Sequence, residues 1–392
     1  MTQALVLASL EIQRFRAFRH LQIERLGRVN LIVGKNNVGK TCLLEALQLY
    51  ASQGDLSTIA RSLSMRDEAK NEEQPIRHLF FGRQNLQRLY SEQKASLRIG
   101  PIDSPDDTLL LAIHFYGESV DESGQRRWSK LKDAGSRLFD VPAPGGPRRH
   151  LKLKETSSQL FGHYLPGLEV YLGDDLIITF LLDREMSRDR RTIRLDPSFK
   201  GLAYSFVGAQ GLDAAEISQL WDSVTLTDLE QDVLSALKII APKVERINLV
   251  GGTQEGQERT PVVRIASLSE PIPLRSLGDG MNRLFSIALS LVTAKGGLLL
   301  IDEVDSGLHY TVQPEIWRLI FGIARRLNIQ VFATTHSWDC IEAFQQALQQ
   351  DAQGDGMLIS LRDKEEEPGH VVAVLFDESE LAIVTREQIE VR

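Results

Sequence analysis

The residues that most constrain this chain are Gly34 to Thr41, which read Gly-Lys-Asn-Asn-Val-Gly-Lys-Thr. An apolar run, Val29-Asn30-Leu31-Ile32-Val33, precedes them, and a helical pattern, Cys42-Leu43-Leu44-Glu45-Ala46-Leu47, follows. Strand, glycine-rich loop and helix in that order are the context of a phosphate-binding P-loop. Gly34 and Gly39 let the backbone curl so that its N–H groups point at an anion. The helix that opens near Lys40 adds its positive end. Lys40 can reach the β- and γ-phosphates of a nucleotide as a point charge, and the Thr41 hydroxyl can ligate Mg²⁺.

A second stretch supplies carboxylates. Leu298-Leu299-Leu300-Ile301-Asp302-Glu303 reads as a buried strand with two acids at its end. Asp302 can hold Mg²⁺, directly or through water, while Glu303 can polarise a water for in-line attack on the γ-phosphate. Ile329 to Ala333 is another apolar strand, running into Thr334-Thr335-His336-Ser337. If its strand neighbours the acidic one, His336 sits beside Glu303, where a neutral imidazole can contact the γ-phosphate. Upstream, Ser276 to Arg283 is a glycine-containing turn that opens a helix with Leu284, Ile287, Ala288 and Leu291 on one face. This helix end is a second anion site, and one that another subunit's nucleotide could complete.

The rest of the chain fits around these stretches. Residues 5–33 read as three strands. Arg14-Phe15-Arg16-Ala17-Phe18-Arg19 lies between the first two, either as a charged hairpin over two aromatics or as a tip that brings Arg14 or Arg16 near nucleotide. Residues 55–93 are polar and mostly helical, and strands are expected at 97–99 and 109–115. Residues 168–172 and 176–182 read as a hairpin. Thr227-Asp228-Leu229-Glu230 fits a capping box. Strands are also expected at 247–250, 262–266, 272–274, 357–361 and 371–376, before an amphipathic tail. The expected organisation is an N-terminal lobe over 1–185, a mainly helical insertion over 186–245 and a C-terminal lobe over 246–392.

The formal charge is −8, so the chain is no uniformly basic nucleic-acid binder. One stretch departs from this. Arg126, Arg127, Lys130, Lys132, Arg137, Arg148, Arg149, Lys152 and Lys154 face only Asp133 and Asp140, around a Pro/Gly-rich centre. It reads as a solvated basic loop or as a contact to a nucleic-acid backbone. Arginines recur at 184, 188, 190, 191 and 194. Cys42 and Cys340 are too few for a disulfide framework, which points to a reducing, cytoplasmic setting. The longest apolar region, Leu284 to Ile301, is interrupted by Lys295-Gly296-Gly297, so no membrane span is expected.

The motifs resemble those of the ABC-type ATPases in order and spacing: Gly34–Thr41, a degenerate signature Leu277-Gly278-Asp279-Gly280-Met281, the Walker B strand Leu298–Glu303, the Asp305 loop and the His336 switch. Phe15-Arg16-Ala17-Phe18, Gly34-Lys35-Asn36-Asn37 and Asp302-Glu303 with Gly307-Leu308-His309 point to the non-transporter branch. This branch holds the structural-maintenance-of-chromosomes (SMC) and recombination-repair ATPases and the "AAA family" relatives of the overcoming-lysogenization-defect (OLD) proteins. The match spans roughly residues 1–50 and 270–345.

The resemblance implies an α/β fold, a P-loop NTPase head with two lobes: an antiparallel β subdomain and a mostly parallel α/β core, with a helical insertion. It implies ATP and Mg²⁺ held between two heads of a homodimer. Gly34, Lys35, Asn36, Asn37, Val38, Gly39, Lys40, Thr41 and Cys42 would form the nucleotide loop, with Arg16 near it. Thr41 and Asp302 would hold the metal, Glu303 would be the base and His336 the switch. Gly278, Asp279 and Gly280 would reach the partner head's nucleotide. The usual signature Ser is Gly278 here and the usual Gln is Met281, so that trans contact is made differently. Gln74 and Gln84 are candidates for the Q-loop. No coiled-coil arms are visible, and the stretch after the switch strand is short for a Toprim nuclease domain. The function implied is ATP-driven closure of a head dimer that acts on DNA or on a separate effector nuclease, in repair or phage defence. The alternative is an ATP-gated scaffold that hydrolyses slowly or not at all and holds an effector.

Overall fold

A strand whose residues are apolar on both sides must be covered on both faces. Four such strands form the centre of the molecule. The computed structural model describes residues 4–70, 72–120, 126–131, 164–182, 192–194, 201–251, 258–351, 355–364, 367 and 369–392. The remaining residues of the basic stretch, 132–154, and Arg184, Arg188, Arg190 and Arg191 lie outside them.

In chain order the strands of the first half are β1 (Leu10–Phe15), β2 (Phe18–Ile23), β3 (Val29–Gly34), β4 (Ser96–Gly100), β5 (Leu109–Val120), β6 (Arg126–Lys130), β7 (Tyr164–Leu172), β8 (Asp175–Leu181) and β9 (Thr192–Arg194). The second half adds β10 (Tyr204–Val207), β11 (Val244–Val250), β12 (Thr260–Ile265), β13 (Ile272–Pro273), β14 (Leu298–Ile301), β15 (Gln330–Thr334), β16 (Gly356–Asp363) and β17 (Val371–Phe376). The helices are α1 (Lys40–Ala51), α2 (Leu56–Met65), α3 (Leu86–Ser91), α4 (Ala214–Val224), α5 (Asp228–Ile240), α6 (Asp279–Thr293), α7 (Gln313–Arg326), α8 (Trp338–Gln350) and α9 (Glu378–Arg386).

The central sheet runs β10-β14-β15-β3-β16-β17 and is parallel except for the β17 edge. Period-two alternation divides its side chains between two cores. Val29, Leu31, Val33, Leu299, Ile301, Val331 and Ala333 pack with the side chains of α4 to α8. Ile32, Leu298, Leu300, Phe332 and Ile359 pack with α1 and with the second sheet. That second sheet is antiparallel, ordered β2-β1-β4-β5-β7-β8-β9 with β6 beside β5. A small sheet, β11-β12-β13, lies against the first core. The α/β architecture with an antiparallel subdomain is thus the one expected for a P-loop ATPase head.

Within the stretch expected as a mainly helical insertion, α4 and α5 are helices, while β10 joins the central sheet beside β14. The capping box expected at Thr227 takes another form. The Thr227 hydroxyl accepts from the Leu229 N–H at 3.3 Å, and the Glu230 carboxylate accepts from the Leu226 N–H at 2.8 Å. Leu226 has φ 61, a left-handed turn that shifts the reciprocal bond by one residue. Among the described residues no helix is long and apolar enough to cross a membrane.

Candidate functional site

The strand order decides which motifs meet. β15 lies between β14 and β3, so the segment after β15 emerges between the P-loop and the acidic pair. In register, Ile301 pairs with Ala333, and Thr334 pairs with Ile32.

The loop from Gly34 to Gly39 connects β3 to α1. Gly39 takes φ 109, and a Cβ there would stand 2.7 Å from the Phe18 ring, so no other residue fits between the loop and the hairpin tip. Lys35, Asn36 and Asn37 are exposed, Asn37 in the left-handed region, and Val38 is buried. No side chain caps the first turn of α1, which leaves its N–H groups facing the loop. α6 likewise opens at Gly278 without a capping side chain. By contrast, Asp55, Asn85, Asp213, Thr227, Ser337 and Asp377 cap the helices they precede.

Lys40 is buried, and its ammonium donates to the carbonyls of Gly34 at 2.7 Å and Lys35 at 3.0 Å. Burial pushes its pKa down to about 8, against the opposing pull of Asp302 and Glu303. A desolvated cation held by neutral carbonyls is the electrostatic setting that a phosphate would relieve. The Thr41 hydroxyl donates to Asp302 Oδ2 at 3.0 Å, so the two oxygen donors converge on one point, as a hard divalent cation requires. Both observations fit a Mg-nucleotide bound at this loop.

Asp302 is further held by Thr334, whose hydroxyl donates to Oδ1 at 2.6 Å. The same hydroxyl accepts from the Glu303 N–H at 2.9 Å. Glu303 has φ 51 and an exposed side chain. His336 stands exposed at the tip after β15. Desolvation and the charge of Lys40 push its imidazole below the usual range, while Glu303, Asp305 and Asp302 pull it upward. Thr335 anchors this tip, since its hydroxyl donates to Asp305 at 2.5 Å and accepts from the Ser337 N–H at 3.0 Å. The structure therefore brings Lys40, Thr41, Asp302, Glu303 and His336 to one end of the sheet.

The remaining candidates lie elsewhere. The Arg16 guanidinium is committed to Glu45 at 2.8 Å and Glu68 at 2.7 Å, with Ser62 as a third partner. It ties the hairpin to α1 rather than standing free toward the loop. The Cys42 thiol is buried on the same side, raised in pKa by burial and by Glu45. At Gly278 an added Cβ would meet nothing within 4 Å, so this turn opens outward. Gly280 abuts the Gly307 carbonyl, which a Cβ would approach to 2.5 Å, and Asp279 is exposed. Met281 is buried in the core and offers the surface no contact. Gln74 is engaged with Gln87 and the Leu86 N–H, whereas Gln84 Oε1 is buried without a partner.

Two groups at the site carry no motif signal of their own. Thr334 holds both acids, and the doubled threonine before His336 was its one trace. Arg283 donates to the carbonyls of Asp302 and Glu303, a main-chain contact that spacing does not reveal.

Two family models match the stretches that carry this site. The model described as AAA ATPase domain matches residues 6–123, which hold the P-loop. An AAA domain model whose description names the AbiEii toxin and the Type IV TA system matches residues 222–339, which hold the signature, both acids and His336. An ATP/GTP phosphatase of Helicobacter pylori is 21% identical over 88% of this chain and 89% of its own length. An uncharacterised protein of Methanocaldococcus jannaschii is 45% identical over 47 residues, 12% of this chain and 22% of its own. Among solved structures, the SmcHead bound to the C-winged helix domain of ScpA is 12% identical with a TM-score of 0.48, covering 94% of this chain and 98% of that one. The SMC head domain from Thermotoga maritima is 14% identical with a TM-score of 0.42, covering 95% and 99%. The two domain matches, both to AAA-type models, divide one nucleotide site between them, as a P-loop ATPase requires.

Proposed function

We propose that this ATPase uses ATP to close a dimer of heads and hydrolysis to reopen it, and that closure gates a separate effector protein or DNA. The observation that carries the reading is the convergence of Thr41 and Asp302 at 3.0 Å, with Glu303 next in sequence and fixed through Thr334. Mg²⁺ held by Thr41 and Asp302 would neutralise charge on the β- and γ-phosphates. Lys40 and the uncapped N–H groups of α1 bind and orient the triphosphate. Glu303 accepts a proton from water as the water oxygen bonds to the γ-phosphorus, and the bond to the β-bridging oxygen breaks with its electron pair leaving on ADP. His336, kept neutral by its surroundings, donates a hydrogen bond to the γ-phosphate and links its presence to the loop that Thr335 anchors. Gly278 and Asp279, which face outward, complete the site of a second copy. Differential affinity of the open and closed forms for nucleotide is what turns binding into a shape change.

The test is Glu303→Gln with steady-state turnover and nucleotide binding measured together, alone and with duplex DNA present. Turnover is expected to fall by about 10²- to 10³-fold, of the order seen when an acid–base group is removed, with affinity kept. Turnover at the wild-type rate would remove Glu303 from the mechanism. A wild-type protein that binds nucleotide but hydrolyses none above the rate in buffer, with or without DNA, would favour the ATP-gated scaffold.

A further inference from the structure

Arg283 lies in the second turn of α6, with only 5% of its surface exposed. Its guanidinium donates to three main-chain carbonyls: Gly208 at 2.5 Å, Asp302 at 2.6 Å and Glu303 at 2.9 Å. Its Nε is buried without a partner. Burial holds its pKa down, at about 10, against the pull of Asp302, Asp305 and Glu303. A buried guanidinium spent on neutral carbonyls is a poor way to gain stability, because well-packed apolar side chains commonly do as well. Its geometry is more informative. The Asp302 and Glu303 carbonyls flank the Cα of Glu303, whose own N–H is taken by Thr334. Glu303 is thus gripped from both peptides while in the left-handed region, which L side chains disfavour. The other end of the grip is the helix that begins at Gly278. There Gly280 rests on the Gly307 carbonyl.

We infer that Arg283 is a positioning residue that fixes the backbone of Glu303, and with it the aim of the carboxylate, to the position of α6. A shift of α6 when its N-terminus meets a second head is then carried to Glu303 by one side chain. This rests on the reading of Glu303 as the base. The guanidinium reaches the Gly208 carbonyl from one terminal nitrogen and the Asp302 and Glu303 carbonyls from the other, in a rigid planar fork, whereas a lysine ammonium presents all its donors from one flexible atom.

The experiment compares Arg283→Lys, Arg283→Met, Glu303→Gln and the Arg283→Lys/Glu303→Gln double variant. It measures kcat and the binding of a fluorescent ATP analogue below the melting temperature of each. Both Arg283 variants are expected to lose roughly 10²-fold in kcat, the scale of an ångström-level misplacement, with nucleotide affinity nearly unchanged. The double variant is expected to be no slower than Glu303→Gln alone, because the two residues act as a unit. If Arg283→Met does not fold, Arg283→Lys, which keeps the buried cation, carries the test. Wild-type kcat in the folded Arg283 variants beside an inactive Glu303→Gln would overturn the role of Arg283 and leave Glu303 standing. Wild-type kcat in Glu303→Gln would overturn both. A double variant slowed by the full product of the single effects would show Arg283 acting independently of Glu303 and overturn the inference.

Discussion

Lys40 carries a titration signature at the heart of the site. Its ammonium is buried against carbonyls, and burial lowers its pKa from 10.5 to about 8. Between these values the unfolded chain holds more protons than the folded one, so Lys40's contribution to stability rises with pH across that window. A triphosphate reverses the sign locally, since its negative charge favours the protonated lysine. Nucleotide binding is therefore expected to take up protons at pH 8.5 and to weaken as pH rises above 8. Calorimetric titration in two buffers of different ionisation heat, repeated up to pH 10, reads both effects. Proton release, or an affinity that does not fall over that range, would contradict the position given to Lys40. Phosphate protonation does not interfere, because the terminal phosphate is already fully ionised there.

At the scale of elements, the loop depends on the hairpin of β1 and β2. Phe18 is fully buried, and its ring leaves room for nothing but the hydrogen of Gly39. Phe18→Ala is expected to cost about 3–5 kcal/mol of stability, as for other buried aromatics, and to weaken nucleotide binding by loosening the floor under the loop. Urea unfolding and analogue binding on the same sample separate the two losses, and a variant with wild-type affinity would show that the hairpin only fills space. The sequence made β3, β14 and β15 legible because each is apolar on both faces and ends in a polar signature. It concealed β10, four residues long, whose place in the sheet comes only from pairing with β14. Arg16 was legible as a charge beside a loop but not as the partner of Glu45 and Glu68, which lie 29 and 52 positions away in a buried network. Thr334 and Arg283 stayed hidden for the same reason: each acts across strands on a main-chain or carboxylate group that periodicity does not address.

For the whole molecule the question is whether one head suffices. The uncapped start of α6 opens outward at Gly278, and the exposed Asp279 stands beside it. A surface that ends in free N–H groups and no capping side chain suits an anion brought by another molecule, and a second copy brings its own bound triphosphate. In such a dimer each site takes Lys40 from one chain and α6 from the other. Lys40→Met removes the first half and Asp279→Trp blocks the second, so each variant alone is expected to be inactive. Mixed in equal amounts, the two form heterodimers in which one site unites the intact Lys40 of one chain with the intact α6 of the other. Random pairing makes about half of the dimers mixed with one good site of two, so about a quarter of wild-type turnover should return. Steady-state hydrolysis across a mixing series, with dimer formation followed by light scattering in ATP, measures the recovery. If the mixture forms dimers yet turns over no faster than its components, each site is complete within its own chain. The outward turn at Gly278 would then need another explanation.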